Sequence, residues 1–130
     1  MIPGAAVCSL LLVDDSDTDV FLVESALAEF GASFKMEVAR DGVEAIEALQ
    51  TGPDPDLVLL DVNMPRMNGL EVLQALNGNM RGMRVVVWSS GWQARDVQGV
   101  LDAGAKAYLQ KPSSYRALVT LLGSFLQDCA

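Results

Sequence analysis

Short apolar runs recur along this chain at intervals that leave room for one helix between each pair. Leu57 to Leu60 (Leu-Val-Leu-Leu) is unbroken, only four residues long, bounded by Asp56 and Asp61 and soon followed by Pro65. A run so short and so closely punctuated suits a strand covered on both faces better than a helix. Ser9 to Val13 and Val85 to Trp88 have the same character. Phe34 to Ala39 instead alternates apolar and polar residues, the mark of a half-exposed edge strand, and Ala107 to Gln110 is the last strand.

The intervening stretches carry helical spacing and helix punctuation. Ser16 is placed to cap a helix with Asp17 and Asp19 in its first turn, running to about Phe30 and ended by Gly31. Val20, Val23, Leu27 and Phe30 would face a sheet, with Glu24 and Ser25 toward water. Asp41 and Glu44 resemble a capping arrangement opening a helix through Leu49, closed by Thr51-Gly52-Pro53. Met64 to Gly69 reads as a loop and Leu70 to Leu76 as a short helix, broken by Asn77-Gly78-Asn79. A helix from about Trp92 to Ala103 stops at Gly104. Ser113 or Ser114 caps a final helix to about Gln127, with Leu118, Leu121, Leu122 and Phe125 as its core stripe.

Strand and helix therefore alternate five times, which predicts an α/β fold with a parallel sheet, right-handed crossovers and helices on both faces. With 130 residues, the expectation is a single domain over 1–130 with no separate output domain. No apolar run approaches the ~20 residues that span a bilayer, and Met1 to Val7 carries no basic export signal, so a cytoplasmic protein is expected.

Charge narrows the chemistry. Seventeen acids against nine bases leave a net charge of −8, which opposes non-specific binding to nucleic acid or anionic membranes. The chain has no histidine, which excludes a histidine general base, histidine zinc ligation and a phosphohistidine of its own. Cys8 and Cys129 lie near opposite ends without metal-ligand spacing and are expected to be reduced core thiols.

In an open parallel sheet every strand's carboxyl end points to one rim, where ligands bind. The residues there are Asp14 and Asp15, Asp61, Ser89 and Lys111. Singly, each has a duller explanation: a helix cap, a turn residue, a solvated surface charge. Together they do not, because three crowded carboxylates repel one another unless a cation neutralises them. An oxygen-only donor set with open water positions fits Mg²⁺. A partly hydrated Mg²⁺ beside a lysine is what phosphoryl transfer requires. Asp61 can then be the nucleophile, giving an acyl phosphate. Asp14 and Asp15 would hold the metal, with the backbone carbonyl of Asn63 as a further ligand. Lys111 would pair with the phosphate, and Ser89 would hydrogen-bond one of its oxygens.

The segments Leu-Leu-Val-Asp14-Asp15-Ser, Leu-Leu-Asp61-Val-Asn-Met-Pro65 with Gly69 beyond, Val-Val-Val-Trp-Ser89, and Gly104-Ala-Lys-Ala-Tyr108-Leu-Gln-Lys111-Pro112 resemble the receiver domains of two-component response regulators, in order and approximate spacing. The resemblance implies a flavodoxin-like (βα)5 fold with strand order 2-1-3-4-5. It implies that Asp61 takes a phosphoryl group from a phosphohistidine on a sensor histidine kinase or phosphotransfer protein, with Mg²⁺ required. It further implies a switch pair of Ser89 and Tyr108, a cis Lys111-Pro112 bond, and a regulatory switch, not an enzyme with turnover on other substrates. The family's last helix-strand-helix face often dimerises; here it includes Trp92, Tyr108, Tyr115 and Arg116. Asp-Ser-Asp-Thr-Asp-Val-Phe-Leu resembles stand-alone receivers paired with phytochrome-type kinases. Ser90 stands where the family usually has alanine, and Trp88 is bulky for a strand end. The rival reading, an aspartyl phosphatase, calls for a general acid two residues after the nucleophile, where this chain has Asn63.

Overall fold

The structure, a computed structural model, describes residues 8–30, 34–62, 67–77, 79–90 and 94–127. In chain order these form β1 (Cys8–Val13), α1 (Asp17–Ala28), β2 (Phe34–Ala39), α2 (Gly42–Thr51), β3 (Leu57–Asp61), α3 (Gly69–Leu76), β4 (Arg84–Ser89), α4 (Ala94–Asp102), β5 (Ala107–Gln110) and α5 (Tyr115–Gln127). The strands make one sheet in the order β2-β1-β3-β4-β5, with every neighbouring pair parallel.

Alternation along each central strand divides the core in two. Leu11, Val13, Val58, Leu60, Val85 and Val87 face α2, α3 and α4, where Ala45, Leu49, Val72, Leu73 and Val100 meet them. Leu10, Leu12, Leu57, Leu59, Val86 and Trp88 face the other way, onto Val20, Val23, Ala26 and Leu27 of α1 and Leu118 and Leu122 of α5. Within β1, β3 and β4, residues 10–13, 57–60 and 85–88 are unbroken apolar runs because both of their faces are covered. β2 lies at an edge, and there Lys35 and Glu37 are exposed while Phe34, Met36 and Val38 are half-buried.

Helix starts follow local chemistry. Ser16 Oγ accepts a hydrogen bond from the Asp19 N–H at 3.2 Å, and Asp41 Oδ1 accepts one from the Glu44 N–H at 2.9 Å. The Glu44 carboxylate reaches the N–H of Arg40, one residue before the cap. A complete reciprocal capping box lies elsewhere, between Asn68 and Glu71 at the start of α3; sequence pattern assigned Asn68 to the preceding loop and Glu71 to the helix. Ser25 is half-buried and not turned fully to water, and Phe30 packs edge-on against Phe34 with ring centroids 5.8 Å apart.

Two expectations are corrected. Cys8 is disulfide-bonded and not a reduced thiol. Pairing depends on which cysteine the fold brings within reach, a distance that sequence separation does not report. Cys129 lies outside the described residues. No cis peptide bond occurs among the described residues, so Lys111–Pro112 is trans here. The trans preference at proline is small, about 0.5–1 kcal/mol, so neither isomer is dictated by the dipeptide alone. Among the described residues no helix is long and apolar enough to cross a membrane.

Candidate functional site

The rim at the carboxyl ends of β1, β3, β4 and β5 gathers the polar residues that the apolar strands deliver there. Asp14 follows β1 directly; its N–H bonds the Ala39 carbonyl at 2.9 Å, continuing the sheet ladder, and its Oδ1 accepts from the Ser16 N–H at 2.9 Å. Asp14 is therefore fully buried, whereas Asp15, next along and turned outward, is exposed. Asp61 is the last residue of β3, in register with Trp88, and is also buried. α3 begins close to this strand end because residue 69 has no side chain. A Cβ on Gly69 would stand 2.8 Å from the Asp61 carbonyl oxygen and 2.9 Å from the Val62 Cα, too near for any other residue without movement.

Ser89 ends β4, buried, and its carbonyl accepts the N–H of Lys111 at 2.7 Å. That bond fixes the root of the lysine beside the acids. The Lys111 ammonium lies 2.6 Å from Asp19 Oδ2, 3.1 Å from Asp14 Oδ2 and 3.3 Å from Asp61 Oδ2. It also stands 5.4 Å from the centre of the Trp88 ring, within range of a cation–π contact.

Asp14, Asp15 and Asp61 can each present an oxygen so that all three lie within 4.8 Å of one another. This set fits a hard divalent cation: it holds only oxygen, two members are buried, and the exposed third leaves one side open to water. The Asp14 Oδ2 atom supports the same reading. It is buried and takes no hydrogen bond from the described residues; Lys111 is near enough to attract it but is not aligned as a donor.

Electrostatics follow from this crowding. Burial pushes the Asp14 carboxyl up to about 6, against the lowering effects of the Ser16 N–H and of Lys111, with the Asp61 charge raising it further. Burial works against the Lys111 ammonium, but the hydrogen bond to Asp19 and the charges of Asp14 and Asp61 outweigh it, holding the group above its ordinary range.

Of the residues singled out from sequence, Asp14, Asp15, Asp61 and Lys111 meet at this rim, and Ser89 joins them through its backbone. Tyr108 lies on β5 in register with Val87, two residues short of Ser89, and is buried among the α2–α4 core. Asn63 and Trp92 lie outside the described residues. Asp19 was read only as a favourable first-turn acid, yet it makes the shortest contact with Lys111. The two are 92 residues apart in sequence, so only the convergence of β1 and β5 at one rim could have signalled the pair. Trp88, buried against α1 and α5, is core and also the aromatic neighbour of the lysine.

The fold has relatives among known proteins. Residues 10–123 match the family model described as the response regulator receiver domain. Over 118 residues the chain is 33% identical to the response regulator MprA of Mycobacterium tuberculosis, covering 91% of this chain and 50% of that protein. It thus spans about half the length of such curated relatives. Among solved structures it resembles the phosphorylated cyanobacterial phytochrome response regulator RcpA, with a TM-score of 0.84 and 27% identity over 95% of this chain and 94% of the other. The Mn²⁺-bound form of response regulator Rcp1 superposes with a TM-score of 0.80 and 29% identity, covering 91% of each chain.

Proposed function

The chain belongs to the response regulator receiver domain family, and from that premise we propose that Asp61 is its phosphoacceptor, charged by a phosphohistidine on a sensor histidine kinase or phosphotransfer protein. The observation that carries the reading is the meeting of the Asp14, Asp15 and Asp61 oxygens within 4.8 Å, with Lys111 at 3.3 Å from Asp61.

In this mechanism an Asp61 carboxylate oxygen attacks the phosphorus, the bond from phosphorus to the donor imidazole breaks, and its electron pair returns to that nitrogen. Asp14, Asp15 and Asp61, with the Asn63 carbonyl, would hold Mg²⁺, which when bound neutralises charge on the transferring oxygens. Lys111 pairs with one phosphoryl oxygen. The Ser89 hydroxyl donates to another. Burial of Asp61 and Ser89 excludes bulk water from the acyl phosphate, while the exposed Asp15 leaves the entry side open.

The output is a shift of Ser89 toward the phosphoryl group, followed by Tyr108. Tyr108 is buried in this structure, so the switch is a change in how much of the population keeps it there. The surface that responds is the α4-β5-α5 face, where Leu101 and Tyr115 are exposed, each at 39%. These apolar groups support docking of a downstream protein or of a second copy. A cytoplasmic location belongs to the same reading and rests on the family alone.

A phosphorylated histidine phosphotransfer protein tests the transfer step. With Mg²⁺ present, radiolabel should pass to the wild-type chain and leave the donor. Retention of label on the donor, with an active control receiver in parallel, would contradict the assignment.

A further inference from the structure

The shortest contact at the site joins Lys111, the lysine that would pair with the phosphoryl group, to Asp19, which the phosphoacceptor chemistry does not itself require. Lys111 Nζ is 2.6 Å from Asp19 Oδ2 but 3.3 Å from Asp61 Oδ2, so the ammonium leans toward the first turn of α1 and away from the acceptor. Its position is otherwise well determined. The backbone is tied to the Ser89 carbonyl, the Trp88 ring lies beside the ammonium, and the side chain is only 15% exposed.

An ammonium has three donors, and three carboxylate oxygens already surround this one at 2.6, 3.1 and 3.3 Å. A phosphoryl group on Asp61 brings further anionic oxygens that compete for the same donors. Release of Asp19 is then part of the cost of engaging the phosphate. We propose that Asp19 is a positioning residue that tethers the Lys111 ammonium and thereby restrains the rate at which Asp61 takes up a phosphoryl group. The proposal rests on the assignment of Asp61 as acceptor and adds a determinant of its rate.

A tether differs from a remote charge. Asp17 supplies the comparison: it lies on the same helical turn, is far more exposed, and pairs with Arg40 instead of Lys111. Neutralising either acid removes one negative charge from the first turn of α1, but only Asp19 frees the lysine. Salt screens the exposed charge and has much less effect on a partly buried contact.

The experiment follows acetyl phosphate labelling by intact mass, with Mg²⁺, at low and high salt. It compares wild type, Asp19→Asn, Asp19→Glu and Asp17→Asn. Asp19→Asn should label about two- to fivefold faster at both salt concentrations, the range that loss of a partly exposed ion pair allows. Asp19→Glu should return the rate toward wild type, and Asp17→Asn should match wild type at high salt. The proposal is overturned if Asp19→Asn is no faster, if Asp19→Glu is as fast as Asp19→Asn, or if Asp17→Asn gives the same gain at high salt. A wild type that takes no label at all would instead remove the acceptor assignment, and the tether with it.

Discussion

The Asp14 carboxylate is fully buried, and the cation beside it is Lys111, 3.1 Å away without the alignment of a hydrogen bond. A carboxylate taken out of water and answered by a misaligned lysine is costly in the metal-free protein. A divalent cation held by Asp14, Asp15 and Asp61, as proposed, would therefore stabilise the fold as well as serve phosphoryl transfer.

The pH dependence of stability follows from it. The folded Asp14 titrates near 6 against an ordinary 3.8, so the folded chain binds this proton more tightly than the unfolded chain. Its contribution to stability is therefore lost as pH rises from about 4 through 6 and changes little above that. Two units correspond to roughly 3 kcal/mol. The raised Lys111 leaves that window unaffected, because it adds stability present at every pH below its unfolded value of 10.5. In chelator, Asp14→Asn should be more stable than wild type at pH 7 and lose that advantage near pH 4, as read by urea denaturation. An advantage independent of pH would argue against a buried, ionising Asp14.

Divalent metal should reverse the order. Bound to the folded state alone, Mg²⁺ at 100 times its dissociation constant adds about 2.7 kcal/mol. Thermal unfolding of wild type should move upward with Mg²⁺ concentration. The shift should nearly vanish in Asp15→Asn, an exposed position whose substitution leaves the core intact.

Gly69 tests how the acceptor strand is positioned. A methyl group there would stand 2.8 Å from the Asp61 carbonyl, so α3 and the end of β3 must separate. Gly69→Ala should lose about 1–3 kcal/mol of stability. It should also slow labelling of Asp61, whereas Gly82→Ala, at a glycine with φ +82 and nothing within 4 Å, should lose stability through backbone strain alone.

Much of this was legible in the residues. The bounds of β2 and β5 follow from the alternation of Phe34 to Ala39 and from the short run Ala107 to Gln110, because those patterns admit no other element at that length. The parallel sheet follows from five strand-helix alternations, and the rim from the rule that strand ends converge. What escaped was set by distance in space. The Asp19–Lys111 contact joins the first turn of α1 to the end of β5, and nothing local to Asp19 distinguishes it from an ordinary first-turn acid. The capping box of α3 was hidden because Asn68 also suits a loop. The trans Lys111–Pro112 bond and the paired Cys8 depend on tertiary context that neither dipeptide nor cysteine count contains.

Labelling with acetyl phosphate, followed by intact mass and peptide mapping, tests the central claim most directly. With Mg²⁺ the wild type should gain one phosphoryl group, mapped to the peptide bearing Asp61, and Asp61→Asn should gain none. Equal labelling of Asp61→Asn, or labelling of wild type undiminished by chelator, would contradict the account.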